Sequence, residues 1–368
     1  MEEKRKKKIL LLCVTSQNVI TFRAGLIKAL QNEGFQVSVI AFDDEYLAEI
    51  KELNVDFYCV KDTNRSLNPL RIVSLKRKYR KLIREIKPDK VFTFMLKPNT
   101  IGVKAAKAEK IKDIYCMVEG AGDAFIRDSL KWKVLRWAIC KLYKSSFKNA
   151  KKVFFLNNDD KSEFLDRKLV VEEQCAVVKG IGVDLKKFEY KPLTNYRTFL
   201  MIARMIRTKG IFEYCKAARI VKEKYPDVVF NYIGAEGDVK IADIQEYIDE
   251  GIINYLGTTK DVRPYIEDCA VYLLPSSYRE GLPMSIMEAE ATGRVIITTL
   301  NIGCTDTVKD GYNGFLVEKG DYQAIAEKMI SLIENPDMLI QMGTNAREFA
   351  EGNFDSEKIN NKILQLIV

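Results

Sequence analysis

The segment VYLLPSSYREGLPMSIME, residues 271–288, contains a strand, a turn and the start of a helix in immediate succession. Val271–Leu274 is an unbroken apolar run, the signature of a short strand covered on both faces. Pro275 to Tyr278 interrupt it. Gly281 lets the backbone come close to a ligand, and Pro283 suits the first turn of a helix, where a missing amide hydrogen costs nothing. The amides near Gly281 and Leu282 then stand at the positive end of a helix dipole and suit a phosphate. Two carboxylates, Glu280 and Glu288, lie eight positions apart around this turn. A carboxylate accepts from two adjacent ring hydroxyls, so two of them at different depths suit two sugars. A lone glutamate is more often a solvated helix charge; the apolar strand and the Gly-Leu-Pro turn raise this pair above that reading.

The same alternation extends in both directions. Upstream, Ile9–Val14, Val37–Ala41, Val55–Val60, Val91–Met95, Ile114–Val118 and Val153–Leu156 read as buried strands with helical stretches between them. The first helix runs from about Phe22 to Asn32 and stops at Gly34. From Asp184 to Thr198 the pattern lapses into a polar stretch containing Pro192, which reads as a linker. Strand-like runs at Phe199–Ala203, Val228–Ile233, Ile252–Leu256, Val271–Leu274 and Val295–Thr298 follow, again separated by helical patterns. Continuous apolar strands alternating with helices predict an α/β fold of two Rossmann-like, doubly wound domains facing across a cleft. We expect an N-terminal domain over 1–190 and a C-terminal one over 191–354, with a final helix, 355–368, packing back on the first. A chain of 368 residues fits two cores better than one.

Composition removes several chemistries. There is no histidine, which excludes a Ser-His-Asp triad, a Cys-His pair and a His-ligated metal. The eight cysteines never form Cys-x-x-Cys and read as small buried hydrophobes. No Gly-x-Gly-x-x-Gly follows the first strand, which disfavours a dinucleotide-dependent dehydrogenase. The longest apolar run is far below the ~20 residues a bilayer requires, and no cleavage site follows the basic start, so a cytoplasmic protein is expected.

Charge is unequal between the halves. Residues 1–190 hold 39 Lys and Arg against 25 Asp and Glu, whereas residues 191–368 hold 20 against 26. Two basic amphipathic stretches, 71–87 and 128–148, contribute, and the second contains both Trp132 and Trp137. Such helices suit the boundary of an anionic membrane; the bland alternative is a core helix with a wet basic side. Nucleic acid is a weaker third reading, since no binding motif accompanies the charge.

A second constellation follows Phe199–Ala203, where RMIRTKG supplies Arg204, Lys209 and Gly210. Two cations at a strand end and helix start form a clamp for a diphosphate. Together with the glutamates they describe a pocket for a nucleoside-diphosphate sugar. With no Asp-x-Asp in the chain, fixed cations and the helix dipole would neutralise the leaving group, so no metal and no cofactor are expected.

On these residues the chain resembles glycosyltransferase family 4, retaining enzymes of the GT-B fold. The resemblance rests on EGLPMSIME (280–288), on Arg204 with Lys209, and on GCTDTVKDGYNGFLV (303–317). Within the family it is most similar to PglA-type N-acetylgalactosaminyltransferases, through RSLNPL (65–70), KPNTIGVKAA (97–106), VEGAGDAF (118–125), LYKSSFKNA (142–150) and KGIGVDLKKF (179–188). The resemblance implies a UDP-N-acetylhexosamine donor, a lipid-linked acceptor on undecaprenyl diphosphate, and a peripheral place on the inner face of the cytoplasmic membrane. It implies that Glu280 contacts the transferred sugar and Glu288 the ribose, with Gly281, Leu282, Pro283 and Asp306 also on the donor. Arg204 and Lys209 would hold the donor diphosphate, and Lys97 and Asn99 would face the acceptor. Asp306 stands where the family usually has Glu, and Glu119 where many members carry His. Two rivals stay open: a non-hydrolysing nucleotide-sugar epimerase of the same fold, and a non-catalytic module at the membrane surface.

Overall fold

The computed structural model describes residues 6–62, 68–125 and 128–368; residues 65–67 of RSLNPL lie outside them. The chain forms two compact units, Met1–Ile181 with Glu357–Val368, and Gly182–Ser356.

The first unit is built on seven strands: β1 (Lys8–Leu12), β2 (Gln36–Ala41), β3 (Asp56–Cys59), β4 (Lys90–Phe94), β5 (Asp113–Val118), β6 (Lys152–Phe155) and β7 (Cys175–Val177). They lie in the order β3-β2-β1-β4-β5-β6-β7, all parallel. Alternate residues of β1 serve opposite faces. Leu10 and Leu12 join a core containing Tyr79, Ile83, Tyr143 and Phe147; Ile9 and Leu11 join one containing Ile27, Leu30, Ile359 and Ile363. Burial on both faces explains why the strands are apolar throughout rather than alternating.

Helix Pro69–Ile86 shows how locally the boundaries are encoded. The Asn68 side chain accepts from the Leu70 amide at 2.9 Å, Pro69 occupies the first turn, and Lys87 ends the helix at φ +51°. Such a cap contributes about 1 kcal/mol. Val19–Arg23 is π-helical before the α-helix Ala24–Asn32, so the helix expected from Phe22 begins earlier and with a wider turn.

The second unit carries β8 (Thr198–Ile202), β9 (Val229–Ile233), β10 (Asn254–Tyr255), β11 (Val271–Leu274), β12 (Val295–Thr299) and β13 (Gly314–Val317). Their order is β10-β9-β8-β11-β12-β13, again all parallel. Strand order reverses between β1 and β4 in the first unit and between β8 and β11 in the second. In open α/β sheets ligands bind beyond the carboxyl ends of strands at such points.

The polar stretch 184–198 is not a free linker between units; it belongs to the second. The Val183 amide donates to Phe354 O at 2.7 Å, and the Ser356 amide returns to Val183 O at 3.1 Å. Phe188 is buried in the core of this unit. Buried Arg294 donates to Lys191 O at 2.9 Å, and Arg347 to Phe188 O at 2.9 Å. The segment is held largely through its carbonyls, which explains its lack of an apolar pattern. The crossing falls at 181–182 rather than near 190. Helix Ser356–Ile367 lies on the first unit, where Ile359, Ile363, Leu364 and Ile367 are buried.

Candidate active site

Beyond the carboxyl ends of β8, β11 and β12, three loops of the second unit are tied together. The amides of Ser277 and Tyr278 donate to Thr208 O at 2.8 and 3.0 Å, joining the loops after β8 and β11. Asn301, after β12, donates through Nδ2 to Ser276 O at 3.1 Å and to Tyr278 O. Two glycines permit the closeness. A Cβ on Gly210, at φ +85°, would meet Pro275 O at 2.2 Å, and one on Gly303, at φ +81°, would meet Glu280 O at 2.6 Å. No L side chain fits either place without moving backbone.

This bracing sets the side chains singled out above. Lys209 Nζ lies 2.6 Å from Glu280 Oε1, and Ser276 Oγ donates to the same oxygen at 2.9 Å. Glu280 is buried, and Lys209 keeps partial access. An ammonium has three donors, so Lys209 can hold Glu280 and still reach an anion. Arg204, at the end of β8, is exposed and makes no ion pair among the described residues. Pro283 stands just before the helix Met284–Ala291 rather than in its first turn; its ψ of 114° is extended. Leu282 is buried and Asp306 is exposed on the turn Thr305–Thr307.

Glu288 lies in that helix and is only partly accessible. Burial pushes its carboxyl up to about 7, with Lys187 acting in the opposite sense. No side-chain hydrogen bond to it occurs among the described residues. Its neighbour Glu290 differs: it is buried, accepts from Asn313 Nδ2 at 2.5 Å, and burial lifts its carboxyl well above the usual range. Glu290 is a packing residue that secures the 309–313 turn, whereas Glu288 is a partly open carboxylate. Lys187 was not singled out by sequence, and only the fold brings its charge near Glu288.

In the first unit Glu119, just past β5, is paired with Arg23. Arg23 is 2% exposed and its guanidinium lies 4.0 Å over the Phe94 ring. Burial lowers Arg23 to about 10, which leaves it cationic at neutral pH. Burial likewise raises Cys13 to about 12, with Arg23 opposing, so this thiol stays protonated. Arg23, the partner of Glu119, was not singled out by the sequence. Its signal was present: Val19, Arg23, Leu26, Ile27 and Leu30 share one helical face that is otherwise apolar.

The two expected acceptor contacts are placed differently from that reading. Lys97 is 1% exposed, and its Nζ lies 2.9 Å from Asp62 Oδ2. Asn99 is fully buried: its Nδ2 donates to Met117 O at 2.7 Å, and its Oδ1 accepts from Thr93 Oγ1 at 2.6 Å. Asn99 locks β4 to β5. Both side chains are spent inside the unit, because the π-helical turn Pro98–Gly102 rolls this segment inward.

Known proteins share this architecture. Residues 183–349 match the family of glycosyl transferases group 1, and residues 8–157 match glycosyl transferase 4-like proteins. The chain is 29% identical over 363 residues to the N,N'-diacetylbacillosaminyl-diphospho-undecaprenol alpha-1,3-N-acetylgalactosaminyltransferase of Campylobacter jejuni, covering 95% of each chain. It is 26% identical over 359 residues to an Escherichia coli UDP-Gal:alpha-D-GlcNAc-diphosphoundecaprenol alpha-1,3-galactosyltransferase, covering 92% of this chain and 90% of that one. Among solved structures, Anabaena HepE in complex with UDP and glucose superposes with a TM-score of 0.79 at 19% identity over 98% of both chains.

Proposed function

Because the chain belongs to glycosyltransferase family 4 and is a hexosyltransferase of the GT-B class, we propose that it moves an N-acetylhexosamine from a UDP-sugar to a saccharide on undecaprenyl diphosphate, with retention of anomeric configuration. N-acetylgalactosamine is the favoured sugar, by analogy with the Campylobacter relative. The observation that carries the reading is the Lys209–Glu280 contact at the strand-order reversal, with partly open Glu288 in the helix Met284–Ala291 that follows.

In this reading the second unit takes the donor. Ionised Glu288 accepts from the ribose hydroxyls. Arg204 and the remaining donors of Lys209 hold the diphosphate, joined by amides at the start of helix Met284–Ala291. Positive groups fixed before the reaction stabilise the charge that grows on the departing β-phosphate without reorganisation. Glu280, held by Lys209 and Ser276, is positioned for a hydroxyl of the transferred sugar. The acceptor hydroxyl loses its proton to the departing phosphate as its oxygen bonds the anomeric carbon. Glu119, held by Arg23, replaces histidine as the polar group past β5 and orients a sugar hydroxyl.

No helix among the described residues is long and apolar enough to cross a membrane. Attachment to an anionic membrane is supported by helix Leu130–Phe147, where Leu130, Val134 and Trp137 are exposed along one line, Trp137 at 60%. Lys141 lies 3.7 Å from the Trp137 ring centre. Apolar side chains at i, i+4 and i+7 flanked by lysines suit the headgroup boundary. The donor is tested by thermal shift with UDP-GalNAc, UDP-GlcNAc, UDP-Gal, UDP-Glc and GDP-Man. Stabilisation by UDP-N-acetylhexosamines is expected; a shift with GDP-Man alone overturns the reading.

A further inference from the structure

Glu290 occupies a place that packing alone would give to an apolar side chain. It lies on the buried side of helix Met284–Ala291 with Ile286, Met287 and Ala289, and none of it is exposed. Oε1 accepts from Asn313 Nδ2, whereas Oε2 has no partner among the described residues. An enclosed polar atom without a partner destabilises a fold, so the oxygen that is bonded must account for the residue. Burial lifts the carboxyl well above its usual range, so at neutral pH the group is an uncharged acid.

The bonded oxygen begins a chain of buried hydrogen bonds that ends at the site. Asn313 Nδ2 also donates to Thr307 O at 3.2 Å, and Asn313 Oδ1 accepts from the Lys309 amide at 2.8 Å. Thr307 Oγ1 donates to Cys304 O at 2.7 Å, and the Cys304 amide donates to Asn301 O at 3.0 Å. Asn301 Nδ2 donates to Ser276 O and Tyr278 O, and Ser276 Oγ donates to Glu280 Oε1. Gly303, within this run, stands so close to Glu280 O that a Cβ would meet it at 2.6 Å. Asn313, Thr307, Cys304, Asn301 and Ser276 are all buried, and low local polarity strengthens each link.

We propose that Glu290 is a positioning residue for the donor sugar: by anchoring Asn313 it sets the loop 301–313, and through that loop the place of Glu280. The proposal rests on the reading of the second unit as the donor unit and of Glu280 as the contact to the transferred sugar. Two acids of one helix then divide the work. Glu288 meets the nucleotide directly, and Glu290 acts on the sugar through the loop. Only one acceptor on an uncharged group is used, so Gln can replace Glu290 and Met cannot.

Titration calorimetry on the full chain, with UDP, UDP-GalNAc and UDP-GlcNAc as probes, tests this. In E290M the UDP-N-acetylhexosamine that binds wild type should weaken about fivefold, the scale of one net hydrogen bond. UDP affinity, which reports Glu288 on the same helix, should not change. E290Q should restore the wild-type ratio between nucleotide sugar and UDP. T307V cuts the chain beyond Asn313 and should show the same selective loss. E290M/T307V should bind no more weakly than the worse single variant, because both break one chain. Hydrogen exchange of the 304–313 amides should be severalfold faster in E290M and normal in E290Q. A purely packing role would lower the melting temperature of E290M and leave the binding ratio at the wild-type value, which overturns the proposal. Equal weakening of UDP and nucleotide sugar overturns it too, as does failure of E290Q to restore the ratio. If E290M does not fold, a wild-type ratio in T307V overturns it. A wild type that binds neither UDP-N-acetylhexosamine refutes the donor reading and this proposal with it; a wild type that binds one, with the ratio unchanged in E290M and T307V, removes this proposal alone.

Discussion

Replacing Glu288 with Gln removes a carboxyl that the fold holds against its ordinary ionisation. Burial raises it from 4.5 to about 7. Between those values the folded protein binds a proton that the unfolded chain has released, so raising the pH through this window costs stability. A carboxyl shifted that far and wholly enclosed would lose roughly 3 kcal/mol between pH 5 and pH 8. Partial access to solvent reduces this to about 1–2 kcal/mol. Glu288→Gln has no charge to lose, so the wild type's stability relative to the variant should fall by that amount over the same range. Urea denaturation of both proteins at pH 5, 6, 7 and 8 measures it, and groups common to both cancel in the difference. In the proposed donor site the same carboxyl accepts two ribose hydroxyls only when ionised, so on that proposal wild-type UDP affinity should rise as the pH is raised toward and through 7, with proton release, while the variant's stays flat. A wild-type-minus-variant difference that is constant or grows with pH would refute the reasoning.

Other outcomes follow from the same geometry. Lys209→Met leaves buried Glu280 without its cation and should cost about 2 kcal/mol in thermal or urea denaturation. Adding Glu280→Gln should restore part of that loss, so the double variant is more stable than the sum of the singles; additivity would mean the contact carries no energy. Arg23→Met should strand the Glu119 carboxylate and destabilise the protein by about 2–4 kcal/mol. Glu119→Gln in the same chain should recover stability without recovering transfer, which thermal melts and turnover separate. Since the donor diphosphate is assigned to Arg204, Lys209 and helix amides, transfer should persist in excess chelator; loss of activity that Mg²⁺ or Mn²⁺ restores would contradict that. Trp137→Glu should reduce co-sedimentation with anionic vesicles severalfold and leave UDP affinity unchanged.

The sheets were legible because their strands are buried on both sides: Ile9–Leu12 and Val271–Leu274 need no partner to be read as interior. The strands β7 and β13 escaped notice for the opposite reason. Cys175–Val177 is three half-buried residues, and Gly314–Val317 begins with glycine, where the backbone of Ile296 leaves no room for a side chain. The segment 184–198 misled because it carries few apolar side chains, Phe188 chief among them, and is otherwise held to the second unit largely through its carbonyls. At the site, the residue types of Glu280, Glu288, Arg204 and Lys209 were readable from spacing, but the Lys209–Glu280 contact joins residues 71 positions apart on two loops. Lys97 and Asn99 look accessible in a segment with polar residues and Pro98; the π-helical turn that buries them has no pattern in a single sequence. Arg23 and Glu119 lie far apart in sequence, and only the fold brings the two together.

The most direct trial is transfer of radiolabelled N-acetylgalactosamine from UDP-GalNAc into butanol-extractable lipid carrying a diphosphate-linked saccharide, with wild type, Arg204→Ala and Lys209→Ala side by side. Label should enter the lipid with wild type, and each substitution should cut the rate at least a hundredfold, the scale of losing one preorganised charge-stabilising group. Near-normal rates in both variants would contradict the assignment of these two cations to the donor diphosphate.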